Sequence, residues 1–178
     1  MPKIYLSPSV QDNHPYIIGG NEEYYMNLIT DAMVPYLRAE GFGFERCNPG
    51  STLSQIIQQS NNGNFDLHLS LHSNASPEDL RGILRGPDVY YHATSSQGRK
   101  AANVIAENLR EIYPVRKLIA TIPTTTYAEL RKTLSPAVLI ELAYHDNFED
   151  AQWIRNNISS IAENIVKSLA ELFNTDPE

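Results

Sequence analysis

The residues most able to do chemistry in this chain are a few carboxylates and histidines set at the ends of apolar runs. The run Pro136-Ala137-Val138-Leu139-Ile140 leads into Glu141 and then Leu142, Ala143, Tyr144, His145, Asp146 and Asn147. An apolar run of this length reads as a strand buried on both faces, as in a parallel sheet. A carboxylate left inside such a strand without a partner costs several kcal/mol, roughly 2–7 for a polar group and more for a charge. The expectation is therefore a strand that ends at Glu141, with the carboxylate facing the crevice beyond the strand ends where open α/β sheets bind ligands. That placement makes Glu141 the candidate catalytic residue.

Two further strand ends point polar residues the same way. The alternating Asp66-Leu67-His68-Leu69-Ser70-Leu71-His72 puts three leucines on one face and delivers His72 at its end. The loop after Leu6 holds His14, and the helix following that loop opens with Glu22 and Glu23. Two His, one helix-borne Glu and the strand-borne Glu141 could meet around one point. Two His, one Glu and a water form a catalytic zinc set, in which the metal activates the water and polarises a carbonyl while a carboxylate moves the proton. Glu22 competes with Glu23 for the helix position, its other reading being a first-turn carboxylate favoured by the helix dipole.

Other candidates have plainer expectations. His68 lies about two strand residues of rise on each side of Ser70 away from His72, roughly 13 Å, and reads as a satisfied structural histidine. His145 is expected beside the ligands or in place of one. His92 reads as a loop residue. Tyr24, Tyr25, Tyr90 and Tyr91 read as packed rings with their hydroxyls at the surface. Arg81, Arg85 and Arg131 read as solvated, with pairing to a substrate carboxylate as the functional alternative. Cys47, before Asn48-Pro49-Gly50, reads as a small strand-end residue rather than a nucleophile.

The elements that must position these residues follow from periodicity. Lys3 to Leu6 is a short strand stopped by Ser7-Pro8-Ser9. Asn21 caps a helix whose apolar residues recur to Leu37 and which Gly41 ends, with a kink or local unwinding at Pro35. Phe42 to Arg46 is a second strand, and Thr52 with Gln55 forms a capping box for a short helix. Asp88 to Tyr91 is a strand, and Ser95 or Ser96 caps a long amphipathic helix. A Pro- and Thr-rich connection and a helical turn over Tyr127 to Lys132 precede the Glu141 strand. Two helices close the chain, and residues 175–178 read as a frayed tail. The fold class is α/β, one domain over 1–174 with a central, mostly parallel sheet flanked by helices.

At 178 residues the chain can bury a core without disulfides, and its single cysteine excludes both an internal bridge and a thiolate-rich zinc site. A formal net charge of -7, with no cluster of Lys and Arg, argues against a nucleic-acid partner. No apolar run is long enough to cross a bilayer, and Met1-Pro2-Lys3-Ile4 lacks the pattern of a secretory signal. No Gly-x-Ser-x-Gly elbow, phosphate loop or dinucleotide fingerprint is present.

Leu71-His72-Ser73-Asn74-Ala75 and Pro136 to Leu142 resemble the zinc-binding and catalytic motifs of the zinc-dependent N-acetylmuramoyl-L-alanine amidases, bacterial cell-wall hydrolases of the autolysin and endolysin kind. Glu23 before Asn27-Leu28, Asp66-Leu67, Gly82 or Gly86 before Val89-Tyr90-Tyr91, and Asn147 also fall in family order. The resemblance implies that Zn2+ is the cofactor, that Glu23 and His72 bind it, and that Glu141 is general base and then acid. Peptidoglycan, or a muropeptide from it, is the implied substrate, cut at the amide joining the lactyl group of N-acetylmuramic acid to L-alanine. His145, Asn74 and Arg131 are implied at the ligands or the substrate. One turn departs from the family. Where its first zinc ligand stands in a Gly-His-Gly turn, this chain has Ser7-Pro8-Ser9-Val10-Gln11, so His14 is expected to reach back, with Gln11, His145 or a water as the alternatives. The altered turn also keeps open a peptidoglycan-binding or regulatory module with an impaired site, and a small-peptide metallopeptidase stands as a third reading. Action at the wall would then follow export, lysis or excision from a secreted precursor.

Overall fold

The computed structural model describes residues 1–174; the expected tail at 175–178 lies outside the described residues. Six strands and six helices alternate along most of the chain: β1 (Lys3–Pro8), α1 (Glu22–Ala39), β2 (Gly43–Arg46), α2 (Leu53–Asn62), β3 (Leu67–Asn74), β4 (Asp88–His92), α3 (Ser96–Ile112), β5 (Ala120–Thr124), α4 (Ala128–Lys132), β6 (Ala137–Tyr144), α5 (Phe148–Asn156) and α6 (Ile158–Asn174). They form one sheet in the order β2-β1-β3-β6-β4-β5. Neighbouring strands run parallel throughout except at β4 and β6, which are antiparallel. The mostly parallel α/β domain expected from the alternation is what the chain forms.

The register divides the side chains cleanly between two faces. Ile4, Leu6, Leu67, Leu69, Leu71, Val138, Ile140 and Leu142 join one large core, against which α1, α3 and α6 lay their apolar stripes. The opposite face carries Tyr5, Ser7, His68, Ser70, His72, Ala137, Leu139, Glu141, Asp88 and Tyr90, set side by side by the pairings Tyr5–His68–Ala137, Ser7–Ser70–Leu139–Tyr90 and His72–Glu141–Asp88. Only the short helices α2 and α4 lie over that face, with small apolar clusters around Phe65 and Leu130.

Several details differ from the sequence reading. Strand β1 is not stopped at Ser7 but runs on to Pro8, because Ser7 and Pro8 pair with Ser70 and Leu71 of β3. Helix α1 runs unbroken through Pro35, because Pro35 and Asp31 both lie on the exposed side of the helix, where the Asp31 carbonyl that loses its helical partner can turn to water. The connection before α4 contains β5, a strand that pairs with β4 alone, and an edge strand tolerates Pro123. Strand β6 does not end at Glu141 but continues to Tyr144: β4 pairs with it only as far as Glu141, and β3 carries it on, past a shift in register, through the pairing of Asn74 with Tyr144. The capping expectations hold: Asn21 Oδ1 accepts from the Tyr24 N–H, and Thr52 and Gln55 form a reciprocal box.

Candidate active site

The site lies where β3 and β6 meet the start of α1. The loop between β1 and α1 doubles back to reach it. The Ser9 N–H donates to the Leu71 carbonyl, the Asn21 amide donates to the Asp12 carbonyl, the Glu22 N–H donates to the His14 carbonyl, and the Ile17 N–H donates to the carbonyl of His145. These bonds hold His14 against the first turn of α1. His14 Nδ1 then lies 2.9 Å from Glu22 Oε2, and His72 Nδ1 lies 2.9 Å from Glu22 Oε1. The Ser73 N–H adds a third donor to Glu22, at 3.3 Å from Oε1.

Glu22, and not Glu23, therefore faces the histidines. The cause is the helix period: Glu22 shares its stripe with Met26, Ile29 and Met33, all fully buried, while Glu23 sits one residue round on a half-buried flank. That stripe was present in the sequence and is the signal that separates the two acids. The expectation for Glu23 is thus corrected to its neighbour. Burial alone would raise the Glu22 carboxyl, but hydrogen bonds from His72, Ser9 and His14, with the charge of His72, hold it below the ordinary value.

Glu141 stands across the sheet from His72. It is 8% exposed, and its Oε2 is buried with no hydrogen-bond partner. Burial pushes its carboxyl up to about 7; His72 opposes the rise, while Glu22 and Asp88 add to it. His72 responds in the other sense, since burial would lower it but Glu129 and Glu22 push it up to about 10. A cavity of about 310 Å³ opens beside them, lined by His72, Glu129 and Glu141 together with Ser9, Gln11, Leu53 and Tyr127.

The remaining candidates sort by position. His145 is buried next to the site: Nδ1 is 3.0 Å from Ser73 Oγ, and the ring stacks on Tyr16 and lies 5.9 Å from that of His14. Asn74 is spent on the backbone, its side chain accepting from Ala75 and its carbonyl from His145. Gln11 lines the cavity, and its carbonyl accepts from the Glu23 N–H. Arg131 lies exposed on α4. His68 is satisfied as expected, bonded to Ser60, Ser70 and Glu129. His92 bonds to Thr94 beyond the far end of β4. Cys47 is buried, which pushes its thiol up to about 11 and suits packing. Glu129, a buried carboxylate over this face, was missed; the short Tyr127-to-Lys132 turn gave no sign of which of its residues points inward.

Among the described residues no three His, Cys, Asp or Glu side chains form a ready cage around one point. Glu22 instead gives one oxygen to each ring. The donor types are nevertheless those of a two-His, one-carboxylate zinc site, and the unpartnered Glu141 Oε2 on the same side of the sheet is left for a group from outside. In composition the residues fit the metal.

A single domain with a six-stranded, mostly parallel sheet flanked by helices is the fold of known amidases. The family model described as N-acetylmuramoyl-L-alanine amidase matches residues 16–171. The chain belongs to the N-acetylmuramoyl-L-alanine amidase family. Solved structures of similar fold include AmiC2 of Nostoc punctiforme, 18% identical over 97% of each chain with a TM-score of 0.85. An amidase from Clostridium difficile 630 is 16% identical, over 99% of this chain and 98% of its own, with a TM-score of 0.87. The catalytic domain of the CD27L endolysin targeting Clostridia difficile is 23% identical over all of both chains, with a TM-score of 0.77. Comparison with curated proteins gives no match.

Proposed function

We propose that this amidase hydrolyses the amide between the lactyl group of N-acetylmuramic acid and L-alanine of the peptidoglycan stem peptide, with zinc bound by His14, Glu22 and His72. The observation that carries the reading is the pairing of both histidines with Glu22 at 2.9 Å, beside a Glu141 whose Oε2 has no partner. Zinc held there would supply a Lewis acid that lowers the pKa of water and polarises the scissile carbonyl. Glu141 does the proton work. A carboxyl raised to about 7 is half ionised near neutrality, so it can take the proton of the attacking water and return it to the departing nitrogen. Atoms balance: the C–N bond breaks, water supplies the hydroxyl to the lactyl carbon, and the amine leaves protonated. The cavity beside Glu141, with Tyr127 and Leu53 on its walls, gives a partly apolar bed for the substrate.

The test is mass spectrometry of material released from purified peptidoglycan, with added zinc and with a chelator. Zinc-dependent release of free stem peptides from intact glycan strands is the expected result. Intact sacculi under both conditions, with the protein folded and still retained on them, would establish instead a binding module with a disabled site, the reading that the Ser7-Pro8-Ser9 turn supports. Cleavage of a peptide lacking any muramyl group would replace the amidase with a peptidase.

A further inference from the structure

We infer that Glu129 is a positioning residue for His72, orienting its ring from the side opposite Glu22. The inference rests on the reading of His72 as a zinc donor, and begins from a carboxylate in an unusual place. Glu129 projects from the short helix α4 onto the polar face of the sheet and is 6% exposed. A buried charge in that position needs partners on both oxygens. Oε2 has them in full: Ser7 Oγ donates at 2.6 Å, Ser70 Oγ at 2.7 Å, and His68 Nε2 lies at 2.7 Å. His68 is fixed in turn through Nδ1, 2.8 Å from Ser60 Oγ.

The saturation of Oε2 leaves Oε1 turned toward His72, whose Nε2 is 3.6 Å away, an ion-pair distance. His72 is thus held between two carboxylates, with Nδ1 on Glu22 and Nε2 on Glu129. Were zinc to take the place of the contact between Nδ1 and Glu22, a carboxylate facing Nε2 would keep the proton on that nitrogen and the Nδ1 lone pair for the metal, and residues in this role typically set metal affinity by about 10–100-fold. Three strand side chains, from β1 and β3, grip the oxygen that does not face His72, so the orientation of Oε1 is built in before any ligand arrives. This anchoring spends Ser7, which lies near the end of β1.

The experiment compares Glu129→Gln with the parent and with Ser60→Ala, which loosens the same network at its far end. Zinc affinity is measured by competition with a chromophoric chelator, and the state of the His72 ring by nitrogen-15 NMR of the metal-free proteins at one fixed pH. Glu129→Gln should weaken zinc by about 10–100-fold and move the His72 ring-nitrogen shifts. Ser60→Ala should lower the melting temperature and leave both readouts at parental values. A folded Glu129→Gln protein with parental zinc affinity and parental His72 shifts would overturn the inference, as would equal effects from Ser60→Ala. If Glu129→Gln does not fold, Ser7→Ala retains the charge and removes one anchor, and unchanged zinc affinity and shifts there overturn it as well. If the parent itself binds no zinc, the reading of the site fails, and the His72 shifts alone decide whether Glu129 orients the ring.

Discussion

The two faces of the sheet are built from the same strands and do opposite things. On one, Leu67, Leu69 and Leu71 of β3 are buried in the large apolar core with α1 packed over them. On the other, His68, Ser70 and His72 of that strand hold a chain of carboxylates and hydroxyls beneath two short helices. Each leucine contributes about 1.5–3 kcal/mol by leaving water, whereas each polar neighbour gains about 0.5–1.5 kcal/mol net from its hydrogen bond and costs more if its partner is lost. One face therefore supplies stability with little specificity of geometry. The other gives up stability to fix where a few atoms stand.

The sharpest way to break this comparison is at Glu141. Glu141→Gln is isosteric and should retain fold and zinc affinity while turnover of peptidoglycan falls by about 100-fold or more; full activity would remove proton transfer by this residue from the mechanism. Next comes the helix pair: Glu22→Gln should weaken zinc by more than the roughly 100-fold limit of a supporting residue, and Glu23→Gln should leave it unchanged, both read by chelator competition. The reverse ranking would return the assignment to Glu23. On the apolar face, Leu69→Ala should cost about 2–5 kcal/mol in chemical denaturation with little change in activity per folded molecule.

The smallest effect is at Asp88, register partner of Glu141, whose carboxyl burial pushes up to about 6. Because this folded value lies above the unfolded one of about 3.9, the parent loses stability as pH rises from about 4 to 6. Asp88→Asn should thus match the parent near pH 4 and exceed it at pH 8 in urea denaturation. A variant less stable at pH 8 would mean that the ionised carboxylate has a stabilising partner.

The apolar face was almost fully legible in the sequence, because alternation and helical spacing report directly on burial. The polar face was legible only where a residue sits on a strong strand. His72 and Glu141 are fixed by the pleat, and both lie on the face their register requires. The resemblance points to Glu23, where the structure turns Glu22 to the histidines, because a helix end offers two adjacent acids and only the Met26-Ile29-Met33 stripe separates them. Glu129 was invisible because a single turn has too few residues for a period. Strand β5 was hidden by Pro123, which a central strand would reject and an edge accepts.

The backbone bond from Ile17 to the carbonyl of His145 joins the loop that carries His14 to the residue just beyond the last strand. On the ribosome, where synthesis runs at about 5–20 residues per second, His14 is made well before β6 and is placed only after it. Until β6 has emerged, β3 lacks one of its two neighbours, His72 has no Glu141 beside it, and the loop has no carbonyl to hold it. A nascent chain cut short before β6 therefore carries both histidines and Glu22 but cannot assemble the site, so hydrolytic competence waits for β6.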